Sequence, residues 1–115
     1  MKAYKVVLKN GKLLSSLFDT VIYTPGKWTK PPRNRGPLCC FKNIETAKEW
    51  KTKWEDEVLT LEVWECEIIK SRYRTAWKRF YIPLLKKWEE VKTSIRFLVD
   101  DTVLADKVKL TRRIL

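Results

Sequence analysis

The sequence predicts an α+β domain: a small, twisted antiparallel sheet with one packed helix and a helical insertion over 70–99. Three observations carry that expectation. Apolar and polar residues alternate near both ends of the chain, a capped helical period runs through 44–54, and apolar residues recur at 4-3-4-3 spacing from Leu84 to Leu98. The 115 residues leave room for one domain, 1–115, and a single modest core.

Each element has a local reason. Tyr4, Val6 and Leu8 share one side of an opening strand and Lys5 and Lys9 the other, and Asn10-Gly11 supplies a hairpin turn. Leu13 to Phe18 and Thr20 to Tyr23 read as one or two short strands, before Pro25-Gly26 breaks the chain and Lys27 to Pro37 runs on as a loop rich in Pro, Lys and Arg. Leu38 to Phe41 is a short apolar strand. Asn43 then caps a helix, 44–54, that places Ile44, Ala47, Trp50 and Trp54 along one side.

Val58 to Ile69 reads as a long strand whose apolar phase changes from Leu59, Leu61 and Val63 to Trp64, Cys66 and Ile68, as at a bulge or a switch of partners. Ser71 is placed to cap a helix carrying Tyr73, Trp77 and Phe80 on one stripe, which Pro83 bends or ends. Leu84, Trp88, Val91, Ile95 and Leu98 form the second stripe of the insertion. Thr102 to Leu115 alternates as a half-buried strand does. Periodicity assigns Trp50, Trp54, Trp64 and Trp88 to the core.

Composition narrows the function. Three cysteines, two of them adjacent and pointing to opposite faces of a strand, disfavour a disulfide framework and read as small buried apolar residues. The absence of histidine removes the commonest general base and metal ligand, so no metal is expected, and no Gly-rich phosphate loop or dinucleotide fingerprint calls for a cofactor. No apolar run approaches the roughly 18 residues of a spanning helix, and the alternation beginning at Met1 leaves no place for a signal peptide. A cytoplasmic protein with no membrane partner is expected.

Several stretches resemble a group of uncharacterised small proteins of phages, archaeal viruses and mobile elements: Tyr4-Lys-Val-Val, Tyr23-Thr-Pro-Gly-Lys-Trp, Gly36-Pro-Leu-Cys-Cys-Phe-Lys-Asn, Val63-Trp-Glu-Cys-Glu-Ile and Thr102 to Ile114. The resemblance leaves out 70–99. It implies a small mixed α/β fold and a viral or mobile-element setting, and it carries no catalytic residue.

Charge arrives in blocks. Residues 1–36 hold eight Lys/Arg against Asp19 alone, 37–69 hold four against eight acids, and 70–99 hold nine against two, within a net charge of +11. The loop at 27–36 combines Lys27, Trp28, Lys30, Arg33 and Arg35, and the segment after Ser71 combines Tyr73, Arg74, Trp77, Lys78 and Arg79. Cations beside flat rings suit contact with phosphates and stacking on bases. The plainer alternatives are a solvated loop with Trp28 folded onto the core, and cations neutralised by the acidic block.

Non-enzymatic binding of a nucleotide or nucleic acid through these ten residues is therefore expected. The alternative is a protein-interaction module, an inhibitor of a host protein or a homodimer, docking through the 84–98 helix. A metal-dependent nuclease can also be drawn, from Asp100, Asp101 and Asp106 or from Glu62, Glu67 and Lys70. A catalytic Cys66 is disfavoured, since Glu65 and Glu67 beside it act against its thiolate.

Overall fold

A computed structural model describes residues 1–15, 21–31, 37–57, 59–94, 98 and 101–115, over 77–82 and 88–94 by the backbone alone. In order, the elements are β1 (Lys2–Asn10), β2 (Leu13–Ser15), β3 (Ile22–Tyr23), β4 (Trp28–Thr29), β5 (Leu38–Phe41), α1 (Ile44–Trp54), β6 (Thr60–Lys70), β7 (Thr75–Ile82), β8 (Lys87–Ser94) and β9 (Thr102–Arg113). Every strand pairing among the described residues is antiparallel.

Pairing closes the main sheet on itself. β1 pairs β6, β6 pairs β9, β9 pairs β5, and Tyr4 of β1 meets Phe41 of β5, completing a small barrel. The free stretches of β1 and β9 beyond β5 are taken by β2 and β4. Closure gives each of β1, β6 and β9 a neighbour on both edges over part of its length.

Two cores follow from strand alternation. Ala3 and Val7, Cys40, Cys66 and Ile68, and Val103, Ala105, Val108 and Leu110 point into the barrel, joined by Val21 and Tyr23. Outside the barrel, Val6, Leu61 and Val63 are covered by Ala47 of α1, with Tyr4, Leu8, Phe41, Trp50 and Ile114 packed around them. This explains the phase change in β6. Leu61 and Val63 face α1, and Trp64, Cys66 and Ile68, on the opposite face, line the interior after α1 has ended its cover. Register shifts opposite Glu65/Cys66 and Ile69/Lys70 leave Thr111 and Asp106 of β9 unmatched, the extra residues of two bulges.

The helix is where its sequence places it. Asn43 Oδ1 accepts from the Glu45 amide at 2.8 Å, and Glu55 ends the helix with extended backbone. Gly11 takes φ of 63° in the β1–β2 turn, a conformation that favours glycine.

The expected α+β class is overturned: strands dominate and the described residues contain one short helix. The helical insertion is a β-hairpin, β7–β8, in register from Thr75↔Ser94 to Ile82↔Lys87. Its sequence is rich in β-branched and aromatic residues, which suit a pleated ribbon, and Pro83 to Lys86 turn it, with Lys86 at φ of 51°. The expected 84–98 stripe dissolves for the same reason. Spacings of three put residues on opposite faces of a strand, and Leu84 is 95% exposed in the turn. Ile95, and the side chains of Trp88 and Val91, lie outside the described residues. Ser71 caps a turn instead of a helix, its Oγ accepting from the Tyr73 amide at 3.1 Å. Trp54, expected in the core, is 37% exposed.

Candidate functional site

β4 is only two residues long, yet it fixes Trp28 on the barrel wall. Trp28 is in register with Lys109 of β9, and the Gly26 amide donates to the Leu110 carbonyl at 2.9 Å. The indole is 44% exposed, and the Lys109 ammonium sits 5.0 Å from its ring centroid, within cation–π range. Lys27 and Lys30 on either side are exposed. Trp28 is therefore not folded back onto the core.

Register places the two basic segments near one another. The loop leaves β9 at Thr29↔Val108 and returns at Leu38↔Ala105, and on the opposite edge of β9 Lys70↔Ala105 is the last pair before Tyr73 and Arg74. Leu38 and Lys70 thus flank one residue, two strand spacings or roughly 10 Å apart. Tyr73 is 70% exposed and Arg74 is exposed. Trp77, Lys78 and Arg79 lie on β7, in register with Lys92, Val91 and Glu90, and their side chains are outside the described residues, as are Arg33 and Arg35 altogether.

The acidic block neutralises other cations. Glu65 pairs with Arg112 at 2.9 Å and Lys2 at 3.4 Å, Glu67 with the N-terminal ammonium at 3.6 Å, and Glu55 with Lys51 at 2.7 Å. Arg112 above all, with Lys2, holds the Glu65 carboxyl below its usual range. Glu62, at the barrel mouth, meets Arg113 at 3.3 Å and Lys9 at 3.5 Å and accepts from Trp64 Nε1 at 3.0 Å. Among the described residues, Lys27, Lys30 and Arg74 form no ion pair. Their charge faces solvent.

The same geometry separates the members of one acidic set drawn for a nuclease. Glu62 points to the interior side of β6 and Glu67 to the outer side, so one cation cannot bridge them. Asp101 accepts from Thr46 Oγ1 at 2.9 Å, and Asp100 lies outside the described residues. No group of three or more His, Cys, Asp or Glu side chains among the described residues could hold a metal ion.

One polar cluster escaped the sequence reading. Lys5, only 9% exposed, points into the barrel, donates to the Cys39 carbonyl at 2.6 Å and lies 5.7 Å from the Tyr23 ring centroid. Burial pushes Lys5 toward the neutral amine, but the Tyr23 phenol and the Cys40, Cys39 and Cys66 thiols act the other way, and the net direction is upward. Beside it, the hydrogen bond with Cys40 and then burial push the Cys66 thiol up, while that bond holds Cys40 down. The available signal was Lys5 occupying the same strand side as Ala3 and Val7. Cys40 and Cys66 are buried as expected, and Cys39, on the opposite face of β5, is half-buried.

Comparison of this chain with protein-family models, with curated proteins and with solved structures found no match. No helix among the described residues is long and apolar enough to cross a membrane.

Proposed function

We propose that this protein binds a phosphate-bearing ligand, a nucleotide or nucleic acid, through the surface around Trp28, without catalysing a reaction on it, as an accessory protein of a virus or mobile element. The observation that carries this reading is the exposed Trp28 indole on β4, with Lys109 over its ring and unpaired Lys27 and Lys30 beside it. A base stacks on the open part of the indole while the ammonium groups meet phosphate oxygens. Resemblance to small phage and archaeal-virus proteins supports the setting.

Fluorescence anisotropy with labelled single-stranded DNA, duplex DNA and a labelled nucleotide tests the reading. Trp28→Ala should cost about 1–3 kcal/mol of affinity, the usual worth of one base–aromatic stack. Unchanged binding by Trp28→Ala, or no binding of any of the three probes at low salt, would overturn it.

A further inference from the structure

We infer that the β7–β8 hairpin is an arm that grips duplex nucleic acid, with Leu84 and Leu85 at its tip as an apolar wedge. The inference rests on the proposed phosphate-ligand reading and names the partner. Its first support is charge: residues 72–94 carry Arg72, Arg74, Lys78, Arg79, Lys86, Lys87 and Lys92 against Glu89 and Glu90 alone. Among the described residues, Arg72, Arg74 and Lys86 are exposed and form no ion pair.

Shape is the second support. Eight residue pairs make a ribbon roughly 26 Å long and one strand spacing wide, slender enough to lie along a groove of the duplex. Among the described residues the backbone of β7 and β8 forms a sheet of its own, and an isolated two-stranded ribbon is marginal in water, so a partner along its length would stabilise it. The root is anchored. Ala76 is buried, and the Ser71 amide donates to the Leu104 carbonyl at 2.8 Å, beside the stretch of β9 that the Trp28 loop flanks from the other edge. One rod-like polyanion can therefore run past both basic segments.

The tip is the third. Leu84 is 95% and Leu85 59% exposed, following Pro83 and preceding Lys86. Apolar side chains presented on a cationic ribbon have the chemistry of a wedge that parts a base step and bends the duplex. A lipid surface fits less well, because Arg72 and Arg74 sit a full arm's length from the tip and a headgroup layer would not reach them.

The test uses a duplex of about 30 base pairs carrying a donor and an acceptor at its ends. Wild-type protein should bend it by roughly 20–90°, read as increased energy transfer. Leu84→Ser with Leu85→Ser should abolish the bend and weaken duplex binding about tenfold, with thermal stability unchanged because both side chains are exposed. Arg74→Ala with Lys86→Ala should lower the slope of log affinity against log salt by about 0.9 for each phosphate no longer neutralised. The inference is overturned if the tip variant bends and binds the duplex like wild type, or if wild type prefers vesicles of mixed phosphatidylcholine and phosphatidylserine to duplex. If the tip variant behaves like wild type while Trp28→Ala loses binding, only the arm is refuted. If wild type binds no nucleic acid and no nucleotide, both readings fall together.

Discussion

The Lys5 ammonium donates to the Cys39 carbonyl across 2.6 Å, joining β1 to β5 inside the barrel at the point where the ring of strands closes through the single pair Tyr4↔Phe41. Truncation and replacement of Lys5 should therefore differ. Lys5→Ala leaves a void in a close-packed interior and should cost about 2–4 kcal/mol in urea unfolding. Lys5→Met keeps the volume, trades a buried polar contact for an apolar one and should cost less than about 1.5 kcal/mol. Equal losses in the two variants would show that the polar contact, and not the filled space, is what Lys5 supplies.

Acid should weaken the junction between α1 and β6. Glu55 accepts from Lys51 Nζ at 2.7 Å and from the Leu61 amide at 3.0 Å, and the Lys51 bond first, then the Leu61 bond, hold its carboxyl below the ordinary 4.5. A carboxylate depressed in the folded state stabilises it above the unfolded value, and that contribution disappears as pH falls through the folded value. Stability should therefore decline below about pH 4.5 more steeply in wild type than in Glu55→Gln. The difference should be no more than about 1 kcal/mol, since solvent screens this exposed site. Parallel unfolding curves from pH 6 to pH 3 would contradict the assignment.

Alkylation should rank the cysteines. The hydrogen bond with Cys40, and then burial, push the Cys66 thiol up, whereas Cys39 is half-buried on the outer face of β5. Iodoacetamide at pH 8 should label Cys39 first in the native protein and Cys66 only on unfolding, as read by peptide mass spectrometry. Early labelling of Cys66 would indicate a barrel that opens far more readily than its packing implies.

Ion pairing should decide which cations contribute to the proposed ligand binding. Lys2 and Arg112 already face Glu65, whereas Lys27 and Lys30 face solvent. Lys27→Ala with Lys30→Ala should reduce the salt slope of binding by about 0.9 per phosphate left without its cation, and Lys2→Ala with Arg112→Ala should leave it nearly unchanged. A larger effect from the second pair would move the binding surface to the open face of β1 and β6.

Several local elements of the fold were legible in the sequence. The Asn10-Gly11 turn, the Asn43 cap and the alternation of β9 each express their conformation within a few residues, where backbone preference and burial agree. The segment 70–99 was misread because its apolar spacing satisfies a helical period, while its aromatic and β-branched content favours a strand. At the candidate site, Lys27, Trp28 and Lys30 were legible as a cluster because they adjoin in the chain. Lys109, the cation over the Trp28 ring, was not, because only the β4–β9 register brings it there.

The sequence by itself determined a helix at 44–54, the long strands at either side of it, the surplus of positive charge and the adjacency of cations and aromatic residues along the chain, all properties carried within a few turns of helix or a few strand residues. Tertiary structure alone decided that the sheet closes into a barrel, that Lys5 faces inward, and that Glu62, Glu65 and Glu67 take Lys2, Lys9, Arg112, Arg113 and the N-terminal ammonium while leaving Lys27 and Lys30 open. Those outcomes depend on which distant strands share an edge and in what register, and a shift of one residue would exchange the inward and outward faces of every side chain on the strand.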